Sequence, residues 1–126
     1  MAKKFIKNSG SLPFSKAVLS DAKHIMEISG QVGIDSTTGK LAEGIEKQTI
    51  FALENIKKIL EEVNWSLDNL IKMRIYLVDI KDYSKMNEVY SKYFKENYPA
   101  RVALAVKELP LNASIEIEGT ASGNFD

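Results

Sequence analysis

Two side chains in the last third of the sequence have the types and spacing to do chemistry together: Arg101, in Pro99-Ala100-Arg101, and Glu116, in Ile115-Glu116-Ile117-Glu118. A guanidinium presents a planar fork of donors that matches a carboxylate with two hydrogen bonds. If the segment is extended, Ala103 and Ala105 lie on the same side as Arg101 and leave room beside it. The same arginine would equally serve a surface or interface ion pair. Glu116 alternates with Ile115 and Ile117, so it faces away from their apolar side. It could be an interface carboxylate, a water-positioning group or a general base. Ser29-Gly30-Gln31 closes an apolar run and offers main-chain donors to a small polar ligand, as an ordinary strand-to-loop turn also would. Asn87 shares a side with Met86 and Tyr90, where its amide would fasten a neighbouring loop backbone. His24 has no carboxylate-serine constellation near it and reads as a strand-edge residue.

The rest of the composition narrows the chemistry further. There is no cysteine and one histidine, which excludes disulfides, thiolate nucleophiles and the usual zinc ligand sets. Seventeen Lys and Arg balance seventeen Asp and Glu, so no long-range field favours nucleic acid. Lys3, Lys4 and Lys7 lead into Asn8-Ser9-Gly10 rather than an apolar run, and nothing approaches the roughly 20 apolar residues of a spanning helix. A cytoplasmic protein without membrane contact is the expectation. At 126 residues, one domain over 1–126 is expected, with a core but little surface to spare.

These residues need elements to position them. His24–Ser29 reads as a strand closed by Gly30, and Ala17–Leu19 as a shorter one. Between Gly33 and Gly44 the sequence reads as turn or loop, around Asp35-Ser36-Thr37-Thr38-Gly39. From Lys47 to Val63, Ala52, Leu53, Ile56, Ile59, Leu60 and Val63 recur at helical steps, with charged residues opposite. Ile71, Met73, Ile75 and Leu77 then alternate against Lys72, Arg74, Tyr76 and Val78, the period of a strand. A second helix is expected from about Tyr83 to Glu96, capped by Asp79 or Asp82 and packed through Tyr83, Met86, Val89, Tyr90, Tyr93 and Phe94. After Pro99, Val102, Leu104 and Val106 face one way from a strand and Arg101, Ala103 and Ala105 the other. This order predicts an α+β protein, a mixed sheet with two helices on one face. Ala17, Leu19, Ile28, Val78, Ala103 and Ala105 then supply an apolar second face that association would cover.

Read in order, Ser29-Gly30-Gln31, Leu53-Glu54-Asn55-Ile56, Asn87-Glu88-Val89-Tyr90, Pro99-Ala100-Arg101, Leu109-Pro110 and Ile115-Glu116-Ile117-Glu118 resemble the RidA (reactive intermediate deaminase) family. The resemblance spans nearly the whole chain. It implies a chorismate-mutase-like fold, a homotrimer with clefts between neighbouring subunits, and cofactor-independent hydrolysis of enamines or imines to 2-keto acids and ammonia. It implies that Arg101 binds the substrate carboxylate and that Glu116 positions or activates water. By the same resemblance, the main chain of Ser29, Gly30 and Gln31 lines the cleft, and Asn87 is structural.

Two segments depart from the family pattern. The Gly-Pro-Tyr-Ser-Gln-Ala segment of active members reads Leu12-Pro13-Phe14-Ser15-Lys16-Ala17, so Phe14 brings an aromatic ring without the phenol. Ala103 stands where a cysteine is frequent, still against the substrate but with no thiol. A noncatalytic trimer that binds metabolites or partners is the alternative reading. Nucleic-acid binding ranks third, since no basic aromatic stripe is present.

Overall fold

The computed structural model describes residues 3–125; the ends of the expected domain, residues 1, 2 and 126, lie outside them. The elements are β1 (Lys3–Lys7), β2 (Ser15–Ser20), β3 (His24–Val32), β4 (Ile34–Asp35), β5 (Lys40–Leu41), α1 (Ile45–Glu61), β6 (Leu70–Leu77), α2 (Tyr83–Ser91), β7 (Ala100–Ala105) and β8 (Ile115–Gly123). Six strands form one mixed sheet in the order β1-β2-β7-β6-β8-β3, and β4 pairs with β5 in a separate hairpin. β7 runs parallel to β6, whereas β8 is antiparallel to both β6 and β3. Both helices pack on one face of the sheet.

The helical period explains α1. Ala52, Leu53, Ile56 and Leu60 are fully buried, while Lys57, Lys58 and Glu61 face water. Each such Leu or Ile contributes about 1.5–3 kcal/mol by leaving water. The helix stops because Asn64 takes a left-handed backbone, φ 61°. Its N–H reaches the Glu61 carbonyl at 3.0 Å and that of Trp65 reaches Leu60 at 3.0 Å. This pair of bonds satisfies carbonyls that the last turn leaves open. Asn55 fastens the other side, donating to the Ile34 carbonyl at 3.1 Å and the Val32 carbonyl at 3.4 Å, so the end of β3 is held against α1.

Strand register fixes which face each side chain takes. Met73, Ile75 and Leu77 of β6 are fully buried beneath the helices, as are Ile115 and Ile117 of β8. Lys72, Arg74 and Tyr76 therefore point to the opposite, open face, together with their register partners Thr120, Glu118 and Glu116. Val102 and Leu104 pair with Arg74 and Tyr76 and share that open face, 39% and 40% exposed.

Several expectations change here. Ile28 and Ala103 belong to the helix-covered core rather than to the open apolar face, whose exposed residues include Ile25, Val78, Val102 and Leu104. The alternation was readable, but which side the helices cover depends on pairing across strands. The stretch from Gly33 to Gly44 is largely the β4–β5 hairpin, with Gly39 at φ 73° in its turn. α2 ends at Ser91, not Glu96: the N–H groups of Lys92, Tyr93 and Phe94 each bond three residues back, tightening the chain into turns. Phe94 still packs at 8% exposure. Asp79 caps the short 3-10 turn Ile80–Asp82 by accepting from the Lys81 N–H at 2.9 Å, whereas Asp82 precedes α2 without a side-chain cap. β1 was not anticipated; its Lys3-Lys4-Phe5-Ile6-Lys7 pairs antiparallel with β2.

Candidate functional site

Arg101 lies on the helix-covered face, since its register partner is the buried Met73. Three rings from two separate stretches of chain box it in. α2 supplies Tyr83 and Tyr90, whose ring centres lie 5.7 and 5.0 Å from the guanidinium carbon. Phe14 supplies the third at 5.3 Å. Phe14 is held there by its neighbours: Asn8 Nδ2 donates to its carbonyl, and Ser15 donates through its N–H to Pro99 at 3.1 Å and through its hydroxyl to Tyr98 at 2.6 Å. Ring faces attract a cation without consuming its N–H donors. Arg101 Nη2 donates to the Tyr83 hydroxyl at 3.2 Å, and Nη1 approaches the Met86 sulfur at 4.0 Å. Among the described residues it has no carboxylate partner. Ala103 follows on the same face, half-buried against the core.

Tyr90 is fully buried, and its hydroxyl has no hydrogen-bond partner among the described residues. Burial pushes its phenol well above the ordinary value, with the Arg101 charge opposing that shift. Asn87, one turn earlier on α2, has a buried Oδ1 that is also unpartnered. Among the described residues, Asn87 Oδ1 therefore makes no bond to a neighbouring loop.

Glu116 lies on the open face, half-buried beside Tyr76. Its carboxylate has no hydrogen bond or ion pair among the described residues. What makes room for it is a bulge in β3: pairing with β8 is regular through Ile28 with Gly119 and resumes at Gln31 with Ile117, leaving Ser29 and Gly30 against Glu118. A Cβ added at Gly30 would fall 2.1 Å from Glu116 Oε2 and 2.7 Å from its carboxyl carbon. A side chain at position 30 would displace this carboxylate from where it lies. Ser29 is exposed, and Gln31 Nε2 donates back to its carbonyl at 3.2 Å.

Beside Glu116, a polar network covers the middle of the open face. Tyr76 donates its hydroxyl to Glu118, which raises the Tyr76 phenol above its ordinary value. Thr120 donates to Glu27 at 2.6 Å and accepts from Arg74 at 3.4 Å. Glu27, Ser29, Arg74 and Glu118 border a shallow cavity of about 380 Å³. A larger one, about 520 Å³, lies between the β4–β5 hairpin and α1, bordered by Lys40, Leu41, Lys47, Ile50 and Phe51. Neither contains Arg101 or Glu116.

The fold thus gathers Phe14, Arg101 and Ala103 on one side, and Ser29, Gly30 and Glu116 on the other. β6 runs between β7 and β8, so the sheet separates the guanidinium from the carboxylate within one chain. Sequence reading assigned Tyr83 and Tyr90 to helix packing. The signal that they join Arg101 is their spacing of seven, two helical turns, which puts both rings on the face bearing Met86.

A mixed sheet with two helices on one face, an arginine boxed by rings beneath it and a glycine-cleared glutamate above defines a small α+β protein with a divided polar site. The family model described as Endoribonuclease L-PSP matches residues 7–122. A RutC family protein of Aquifex aeolicus is 47% identical over 108 residues, covering 84% of this chain and 85% of its own. The human 2-iminobutanoate/2-iminopropanoate deaminase is 41% identical over 110 residues, covering 86% and 79%. Among solved structures, RidA from an Antarctic Psychrobacter species superposes with a TM-score of 0.77 at 35% identity, covering 94% of each chain. Escherichia coli TdcF with bound serine superposes with a TM-score of 0.75 at 29% identity, covering 94% of this chain and 98% of its own. The chain belongs to the RidA family.

Among the described residues no helix is long and apolar enough to cross a membrane, and no three His, Asp or Glu side chains are grouped to hold a metal ion.

Proposed function

We propose that this protein is a cofactor-independent deaminase that hydrolyses small 2-imino acids and their enamine tautomers to 2-keto acids and ammonia. The observation that carries the reading is Arg101 itself: a half-buried guanidinium steadied by ring faces, with donors uncommitted to any carboxylate among the described residues. That arrangement suits a ligand carboxylate. The human relative's name, 2-iminobutanoate/2-iminopropanoate deaminase, and the serine in TdcF both point to small carboxylate-bearing molecules.

Glu116 faces the other side of the sheet, so the productive cleft forms where a second copy brings its Glu116 to the Arg101 of the first. Association as a homotrimer, with Val78, Val102 and Leu104 covered by neighbouring copies and each Arg101 ring box lying at a subunit boundary, would achieve this. Arg101 then orients the substrate and Glu116 accepts a proton as water adds to the C=N carbon. Addition to the protonated imine gives a neutral carbinolamine; Glu116 returns its proton to the nitrogen, then accepts the hydroxyl proton as the C–N bond breaks and C=O forms, so ammonia leaves and the 2-keto acid remains. Main-chain groups around Gly30 line the approach. Cytoplasmic residence suits such reactive, short-lived substrates.

The test is to generate 2-aminoacrylate in situ and time pyruvate release. Arg101→Ala and Glu116→Gln should each lose at least about 100-fold of the acceleration, the usual scale for a positioned acid-base group. Equal rates for all three proteins and protein-free buffer would reject the reading. A second reading, a noncatalytic trimer that binds metabolites, draws on Phe14, a ring that brings no hydroxyl to the guanidinium. Saturable 2-keto acid binding without acceleration would select it.

A further inference from the structure

Three rings surround Arg101, but only one brings a hydroxyl to the guanidinium. Phe14 has none, and the Tyr90 hydroxyl is buried without a hydrogen-bond partner. Tyr83, the first residue of α2, places its Oη 3.2 Å from Arg101 Nη2, where it accepts a hydrogen bond. The Tyr83 proton meets no acceptor among the described residues. A phenol that accepts from a cation becomes a better donor in turn, because the two bonds polarise each other. Tyr83 is half-buried rather than sealed, so this donor can meet a ligand.

A carboxylate gripped by an arginine fork still has lone pairs to spare, since its two oxygens offer about four acceptor sites. We propose that Tyr83 is a substrate-binding residue whose O–H donates a third hydrogen bond to the carboxylate held by Arg101. This rests on the reading that Arg101 grips such a group. The third donor lies off the axis of the fork, so it sets how the ligand is turned as well as how tightly it is held. The phenol adds directional selectivity to a charge that alone would accept many anions.

Calorimetric titration with 2-oxobutanoate tests this on the assembled wild type and on Tyr83→Phe, Arg101→Ala and Tyr93→Phe. Tyr83→Phe keeps the ring and its packing, removing only the oxygen. Its Kd should rise about tenfold, the scale of one hydrogen bond to a charged group, with an unchanged unfolding midpoint. Tyr93→Phe, whose hydroxyl bonds Glu54 instead, should bind as wild type does. A Tyr83→Phe affinity within twofold of wild type, while Arg101→Ala abolishes binding, would overturn the Tyr83 assignment alone. Wild-type binding without acceleration of imine hydrolysis would defeat the deaminase reading and leave Tyr83 to be decided by the same Kd ratio. Absence of wild-type binding would overturn both.

Discussion

The two halves of the site are made differently. The Arg101 half is assembled from the segment around Phe14, from α2 and from β7, stretches that meet only because the helices cover that face of the sheet. The Glu116 half comes from one strand pair, β3 and β8, and a two-residue bulge. A cation can be steadied by ring faces and still keep its donors. A carboxylate has no such option, and is kept unpartnered by clearing space, which is what glycine at position 30 does. One half therefore depends on tertiary packing and the other on local strand geometry.

The most drastic way to break this comparison is to keep both halves from meeting. Leu104→Glu puts a charge on the open face, on the side of β7 opposite the ring box, and burying it against another copy is prohibitive. Turnover should fall to the protein-free rate while sedimentation gives the mass of a single chain; full turnover by that single chain would show that no second copy is needed. Next in size is Gly30→Ala. Its methyl collides with the flexible end of Glu116 rather than with backbone, so folding should persist while turnover drops about 100-fold and 2-oxobutanoate affinity stays within threefold. An affinity loss as large as the turnover loss would place Gly30 in carboxylate recognition instead.

Arg101→Lys sharpens the other half. It keeps the charge but loses the fork and the planar group that lies against the rings, so the 2-oxobutanoate Kd should rise about tenfold in calorimetry. The smallest effects concern the phenols. Tyr90→Phe removes a buried hydroxyl without a partner, so urea unfolding should show stability equal to wild type or up to about 1 kcal/mol higher. Tyr93 is raised by partial burial and by its bond to Glu54. Its unfolded phenol ionises near about pH 10 while the folded one stays protonated, so its contribution is intact below that pH and is lost as pH climbs above it. Tyr93→Phe should flatten the decline in stability between about pH 10 and 12; an unaltered alkaline limb would remove that role.

Much of the scaffold could be read directly. The helical period of α1 and the alternation along β6 and β8 survive because each is a local pattern that burial merely selects. Arg101 and Glu116 were visible as side chains on alternating segments, and the family resemblance named Ser29, Gly30 and Gln31 as cleft-lining and Asn87 as structural. The pairing of Tyr83 with Arg101 was not visible, because seventeen positions of chain, including the end of α2 and Pro99, intervene between them. Nor was the face of Ala103, since alternation separates two sides of a strand without naming the one the helices cover.

Sequence alone determined the main helices and strands, the charge balance and the chemical types on hand, because periodicity and composition are properties of neighbouring residues. Only the tertiary structure decided that Arg101 and Glu116 stand on opposite sides of one sheet. Strand order and register are settled by long-range pairing, and with β6 placed between β7 and β8 the arginine joins the buried Met73 while the glutamate joins Tyr76 in the open.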